Sequence, residues 1–90
     1  MPKILKADGS REAIGAPKSK GFKLNEIQKI VGGYVELVML SPRTIMLVNE
    51  EGKLMNLPVN KVATRIFRRM RRSADTIHGD VLVCATEHFK

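Results

Sequence analysis

The stretch Lys61–Arg72, KVATRIFRRMRR, decides how this 90-residue chain is read. At about 100° per residue, Val62, Ala63, Ile66, Phe67 and Met70 fall on one side of a helix. Lys61, Arg65, Arg68, Arg69, Arg71 and Arg72 fall on the other, with no acidic residue among them. The apolar side suits a core-facing stripe in a small domain. Folding does not require so concentrated a cationic side, so it is the first candidate for function. Asn60, just before the helix, is placed to accept from its first free N–H groups. Pro58, two residues earlier, ends any preceding strand pairing.

Working outward, the segments before the helix read as sheet. Tyr34–Leu40, YVELVML, is rich in strand formers. Its alternation puts Tyr34, Glu36 and Val38 on one face and Val35, Leu37 and Met39 on the other. Glu36 interrupts the apolar pattern and is expected at a solvent-facing rim or beside a cation. Ser41-Pro42-Arg43 turns the chain into a second strand, Thr44–Val48. Asn49-Glu50-Glu51-Gly52 forms another turn, with Gly52 suited to positive φ. Lys53–Leu57 is expected to complete a three-stranded meander. After the basic helix, Thr76–Ala85 reads as a last strand, where Gly79 allows a bulge or a close approach.

Before the meander, Leu24–Val31 fits a short helix with Leu24, Ile27 and Val31 on one side, ended by Gly32-Gly33. Lys3–Ala7 and Arg11–Ala16 form an opening hairpin about Asp8-Gly9. Pro17–Gly21, PKSKG, is a basic loop between hairpin and helix. The expectation is one α+β domain over residues 1–90, a mostly antiparallel sheet packed with two helices.

Composition bounds the function. Apolar residues make up 43% of the chain, enough for a globule, but aromatics only 4%, so the core must be largely aliphatic. The formal net charge of +7 favours acidic partners. Cys84, the single cysteine, lies in the apolar run VLVCA and is expected to be a buried, inert thiol. No secretory signal is evident, and no apolar run approaches the ~20 residues that cross a bilayer. A soluble protein of the reducing cytoplasm is expected, without membrane association.

Three stretches taken together, EIQKIVGGYVELV, NEEGKLMNLPVNKVAT and DTIHGDVLV, resemble an uncharacterised family, domain of unknown function three-eight-four-six. The resemblance runs from about Leu24 to Val83. The first stretch supplies Gly32, Gly33, Tyr34 and Glu36. The middle one, the most specific, supplies Asn49, Glu50, Glu51, Gly52, Lys53, Leu54, Leu57, Pro58, Asn60, Ala63 and Thr64. The last supplies Gly79, Asp80 and Val81. The resemblance implies a small α+β domain and a phage, plasmid or other mobile-element origin, and it implies no activity. Two features depart from the family pattern: His78 replaces a usual aliphatic residue, and the helix after Ala63 is unusually rich in arginine.

For the arginine side, the functional reading is phosphate binding, since guanidinium groups fit phosphate oxygens and a helix sets them in a row. Without base-reading side chains, such contact with nucleic acid or an anionic nucleotide would be mainly sequence-independent. Alternatives are an acidic host protein, including a defence factor, a cyclic-nucleotide sponge, or a merely solvated face that complements the helix dipole. His78, Asp80 and His88 lack a third and fourth ligand at recognisable spacing, so no metal is expected. Glu36, Glu50 and Glu51 as paired carboxylates, or a nucleophile elbow, a Cys–His pair or a phosphate-cradling glycine loop, are not supported. A non-enzymatic protein without a cofactor is expected, with self-association through a sheet edge as a further possibility.

Overall fold

The computed structural model describes residues 2–17 and 21–89. Lys18, Ser19 and Lys20 of the expected basic loop, and the last residue of the tail, lie outside them. Five strands and two helices follow in the order β1 (Lys3–Leu5), β2 (Arg11–Ala13), α1 (Leu24–Val31), β3 (Val35–Ser41), β4 (Thr44–Asn49), α2 (Lys61–Arg71) and β5 (Val81–Ala85). The strands form one sheet in the order β2-β1-β5-β4-β3, antiparallel throughout. This is the expected α+β domain, with a helix on each face of the sheet.

The alternation of side chains divides the interior in two. On one face Leu5, Leu40, Met46, Val48, Val81 and Val83 pack with Ala63 and Ile77, and Val62, Ile66 and Phe67 of α2 cover them. On the other, Ile45, Leu47, Leu82 and Cys84 pack with Ile27 and Val31 of α1 and with Phe22. Val81–Cys84 and Ile45–Val48 are buried residue after residue, as a strand covered on both sides requires.

The third meander strand does not form. Lys53–Asn56 is a turn, Asn56 takes the left-handed conformation at φ 55°, and Leu54 is 84% exposed. The reason is competition for the free side of β4. That position goes to β5, whose run VLVCA is apolar on both faces and buries more surface there than KLMNL could. Nor does the final strand start at Thr76: it begins at Val81, and the segment before it makes one bridge, Val59 to His78, and is tied to α2 by hydrogen bonds between Ile77 and Thr64.

The glycines act differently from expectation at one position. Gly52 is not in the left-handed region. It is buried, and a Cβ there would lie 2.9 Å from the His78 carbonyl oxygen, so the missing side chain permits a close approach of the turn to the segment before β5. Gly79, at φ 87°, does make the expected close approach, since its Cβ would meet Leu57 at 2.8 Å.

Helix boundaries follow local chemistry. Gly32 ends α1 at φ 84°, its N–H bonded to the Gln28 carbonyl. Leu24, expected on the inner side, is instead 57% exposed, and Ile30 supplies the packing with Ile27 and Val31. Asn60 caps α2 as expected, its side-chain oxygen accepting from the Ala63 N–H at 3.0 Å. Met70, also expected inside, is 47% exposed, because the last turn of α2 runs out at the sheet edge.

Cys84 is buried, and burial pushes its thiol above the ordinary range. The folded state holds a proton that the unfolded chain gives up sooner. This contribution to stability is therefore intact below the ordinary thiol pKa and declines as pH rises through it. In native protein at neutral pH Cys84 is expected to resist a thiol reagent, and in denaturant to react at the rate of a free cysteine. Timed labelling with and without denaturant checks this.

Candidate functional site

The structure separates the six cations of α2 and its C-terminal cap, Lys61 to Arg72, into two sets. Arg68 is turned back on its own chain: its Nε donates to the Asp75 carbonyl at 3.1 Å and its Nη2 to that of Ala74 at 3.0 Å. Arg71 donates from Nη1 to the Met39 carbonyl at 2.7 Å, tying the last turn of α2 to β3. These two do not project freely, contrary to the expectation of one uniform arginine face. Both keep their charge, since carbonyls neutralise nothing.

Lys61, Arg65, Arg69 and Arg72 form the second set. All are exposed. None of the ion pairs among the described residues involves a cation of α2: the pairs are Lys6 with Glu12, Lys53 with Asp75, and Glu87 with His88 when that ring is protonated. An open trough of about 420 Å³ lies along this side, lined by Val59, Lys61, Thr64, Arg65, Arg68 and Thr76. Arg72 sits just past the helix in the left-handed conformation, φ 52°. A side chain there costs roughly 1 kcal/mol that glycine would not.

The residues shared with the family pattern serve mainly to hold loops to the sheet. Asn60 is fully buried; its Nδ2 donates to the Leu5 carbonyl at 2.8 Å and to the Gly79 carbonyl at 2.9 Å. Its main chain bonds Ile77 and Thr64. Asn49, also buried, donates from Nδ2 to the Val31 carbonyl at 3.1 Å and accepts from the Glu51 N–H at 2.8 Å, fastening the end of α1 to the turn after β4. Gly33 leaves room for that amide, because a Cβ would stand 3.0 Å from Asn49 Nδ2. Asp80 accepts from the Ala7 N–H at 2.9 Å. The Pro58 carbonyl accepts from Gly79 at 2.8 Å.

Glu36 and Glu50 are the exception, and with them the structure shows a feature that sequence reasoning missed. A groove of about 380 Å³ opens between β3, the turn after β4, and the segment before β5. Val38, Val48, Phe67 and Ile77 give it an apolar lining, and its polar residues include Glu36, Glu50, Lys53, Asp75, Thr76 and His78. Glu36 lies opposite Val48 in the register, so Glu50, two residues on, is its diagonal neighbour on the same face. The hairpin register would have disclosed this pair. The Lys53–Asp75 contact joins residues 22 apart, and no local pattern signals it. The Lys53 ammonium and the Thr76 N–H hold the Asp75 carboxyl below the usual carboxylate range.

His78 is fixed at both nitrogens. Nδ1 lies 2.9 Å from the Leu57 carbonyl and Nε2 2.8 Å from the Thr76 hydroxyl. A carbonyl only accepts, so Nδ1 carries the proton and, in the neutral ring, Nε2 accepts from Thr76. The imidazole thus clips the 53–57 turn to the segment before β5. Asp80 is committed to Ala7, and among the described residues no three His, Cys, Asp or Glu side chains gather as a metal site would require. Tyr34 is 65% exposed, beside the outer edge of β3.

No helix among the described residues is long and apolar enough to cross a membrane. Searches of curated proteins and of solved structures found no match. The family described as Domain of unknown function (DUF3846) matches residues 3–90, nearly the whole fold including the loop-fastening asparagines, and the chain belongs to that family.

Proposed function

We propose that this protein is a non-enzymatic accessory protein, of phage or mobile-element origin and acting in the host cytoplasm, that binds nucleic acid along α2. The observation that carries the reading is the set of four exposed cations, Lys61, Arg65, Arg69 and Arg72, with no carboxylate partner among the described residues. Arg68 and Arg71 brace the helix against carbonyls and add to the field without spending their charge. Arg72 supports the reading further, since the backbone there favours glycine and the chain carries a cation.

The segment Lys61–Arg72 carries no Asn or Gln to read adenine, and the contact proposed is of its cations with phosphates, insensitive to sequence. Four phosphate contacts give a slope of about −3.6 for log affinity against log salt, a loss of roughly 10²-fold between 50 and 200 mM. Fluorescence anisotropy of a labelled duplex and a labelled single strand, titrated across salt, measures this. Absence of binding to both at low salt would remove the nucleic-acid reading and leave an acidic host protein as the partner to seek.

A further inference from the structure

The sheet has two outer strands, and they are built differently. β2 has three residues and carries Arg11 and Glu12, the short, charged kind of edge that resists pairing. β3 has seven, VELVMLS, with one charge and no proline. Its register with β4 is regular from Val35 to Met39 and shifts only beyond.

The direction of its main-chain groups follows from one bond. The Glu50 N–H donates to the Tyr34 carbonyl at 2.8 Å, so even-numbered residues of this strand turn their polar groups toward β4. Val35, Leu37 and Met39 therefore turn theirs outward. The Arg71 contact agrees, since it takes the Met39 carbonyl from outside. The same residues present apolar side chains on the α1 face, where Leu37 is 40% and Met39 45% exposed.

We infer that this edge pairs with the same edge of a second copy, antiparallel about a two-fold axis at Leu37, to make one continuous sheet of two chains. Self-complementarity selects the second copy as occupant. In this register Leu37 faces Leu37 and Val35 faces Met39 on the α1 face, apolar on apolar, while Glu36 faces Val38 on the α2 face. A register one pair shorter would set Glu36 against Glu36, which like charges forbid. The pairing displaces Arg71 from its Met39 carbonyl and brings it beside Glu36 of the other copy, on the same face. Neither residue has a charged partner among the described residues, and the axis forms the new ion pair twice.

The test is the mass of the full chain in solution by sedimentation equilibrium. A dimer of twice 10.1 kDa is expected. Leu37→Lys changes an exposed side chain and sets like charges opposite each other across the axis, so it should yield monomer with an unchanged circular dichroism spectrum. Glu36→Arg and Arg71→Glu should each weaken the dimer about tenfold, and the double variant, which exchanges the charges, should recover it. A wild-type monomer at concentrations up to about 1 mM, the weak end of specific association, would overturn the inference. So would a Leu37→Lys dimer as tight as wild type, or a double variant no tighter than either single one.

Discussion

Asn60→Ala should lower the melting temperature by at least about 12 °C. The side chain is fully buried and makes three bonds to main-chain groups of three different segments. Losing the helix cap costs about 1 kcal/mol. Leaving the Leu5 and Gly79 carbonyls buried without a donor adds about 1–3 kcal/mol for each. The sum, roughly 3–7 kcal/mol, is a large share of the ~5–13 kcal/mol available to a chain of this length, and each kcal/mol moves the midpoint ~4–8 °C. Asn60→Asp separates the parts. It keeps the capping oxygen but turns a donor into a carboxylate facing two carbonyls, so it should be at least as damaging as alanine. If aspartate melts near wild type, capping alone matters and the account of the buried carbonyls is wrong. Thermal melts of the three proteins by circular dichroism decide it.

Replacing Arg65, Arg69 and Arg72 together by glutamate should abolish nucleic-acid binding, a loss of at least ~10³-fold at low salt. Arg68 and Arg71 are kept, because their guanidiniums already donate to the carbonyls of Ala74, Asp75 and Met39 and do not belong to the free set being tested. Three such changes remove six units, taking the formal net charge from +7 to +1. A control with the same net charge, Arg11→Glu with Lys29→Glu and Arg43→Glu, lies on other elements. It should weaken binding only through the general field, by about tenfold. Equal losses in the two variants would mean that overall charge, and not the α2 surface, attracts the polymer.

Much of this was legible in the letters where a local rule was decisive. The span of α1 follows from the spacing of Ile27 and Val31 and from Gly32, and the start of α2 from Asn60. The β3–β4 hairpin follows from two β-forming runs about Ser41-Pro42-Arg43. What failed was the choice between partners distant in sequence. Lys53–Leu57 has tolerable strand composition, but β5 takes the neighbouring place beside β4, and nothing within KLMNL reveals that competitor. The site divides in the same way. Periodicity put all six cations of the helix on one side, yet it could not identify Arg68 and Arg71 as bound, because their acceptors are carbonyls on loops and strands up to 32 residues away. The groove at Glu36 and Glu50 likewise needs the strand register before it exists as a feature.

The single sheet between the helices acts as a partition wall. Met46 and Leu47 are adjacent in sequence, yet each belongs to a different chamber, one roofed by α2 and one by α1. Packing errors introduced on one side have only the strand backbone through which to reach the other. The α1 chamber can therefore be refilled with other aliphatic residues while the cation-bearing roof keeps its shape, which makes that half of the molecule the place to engineer stability.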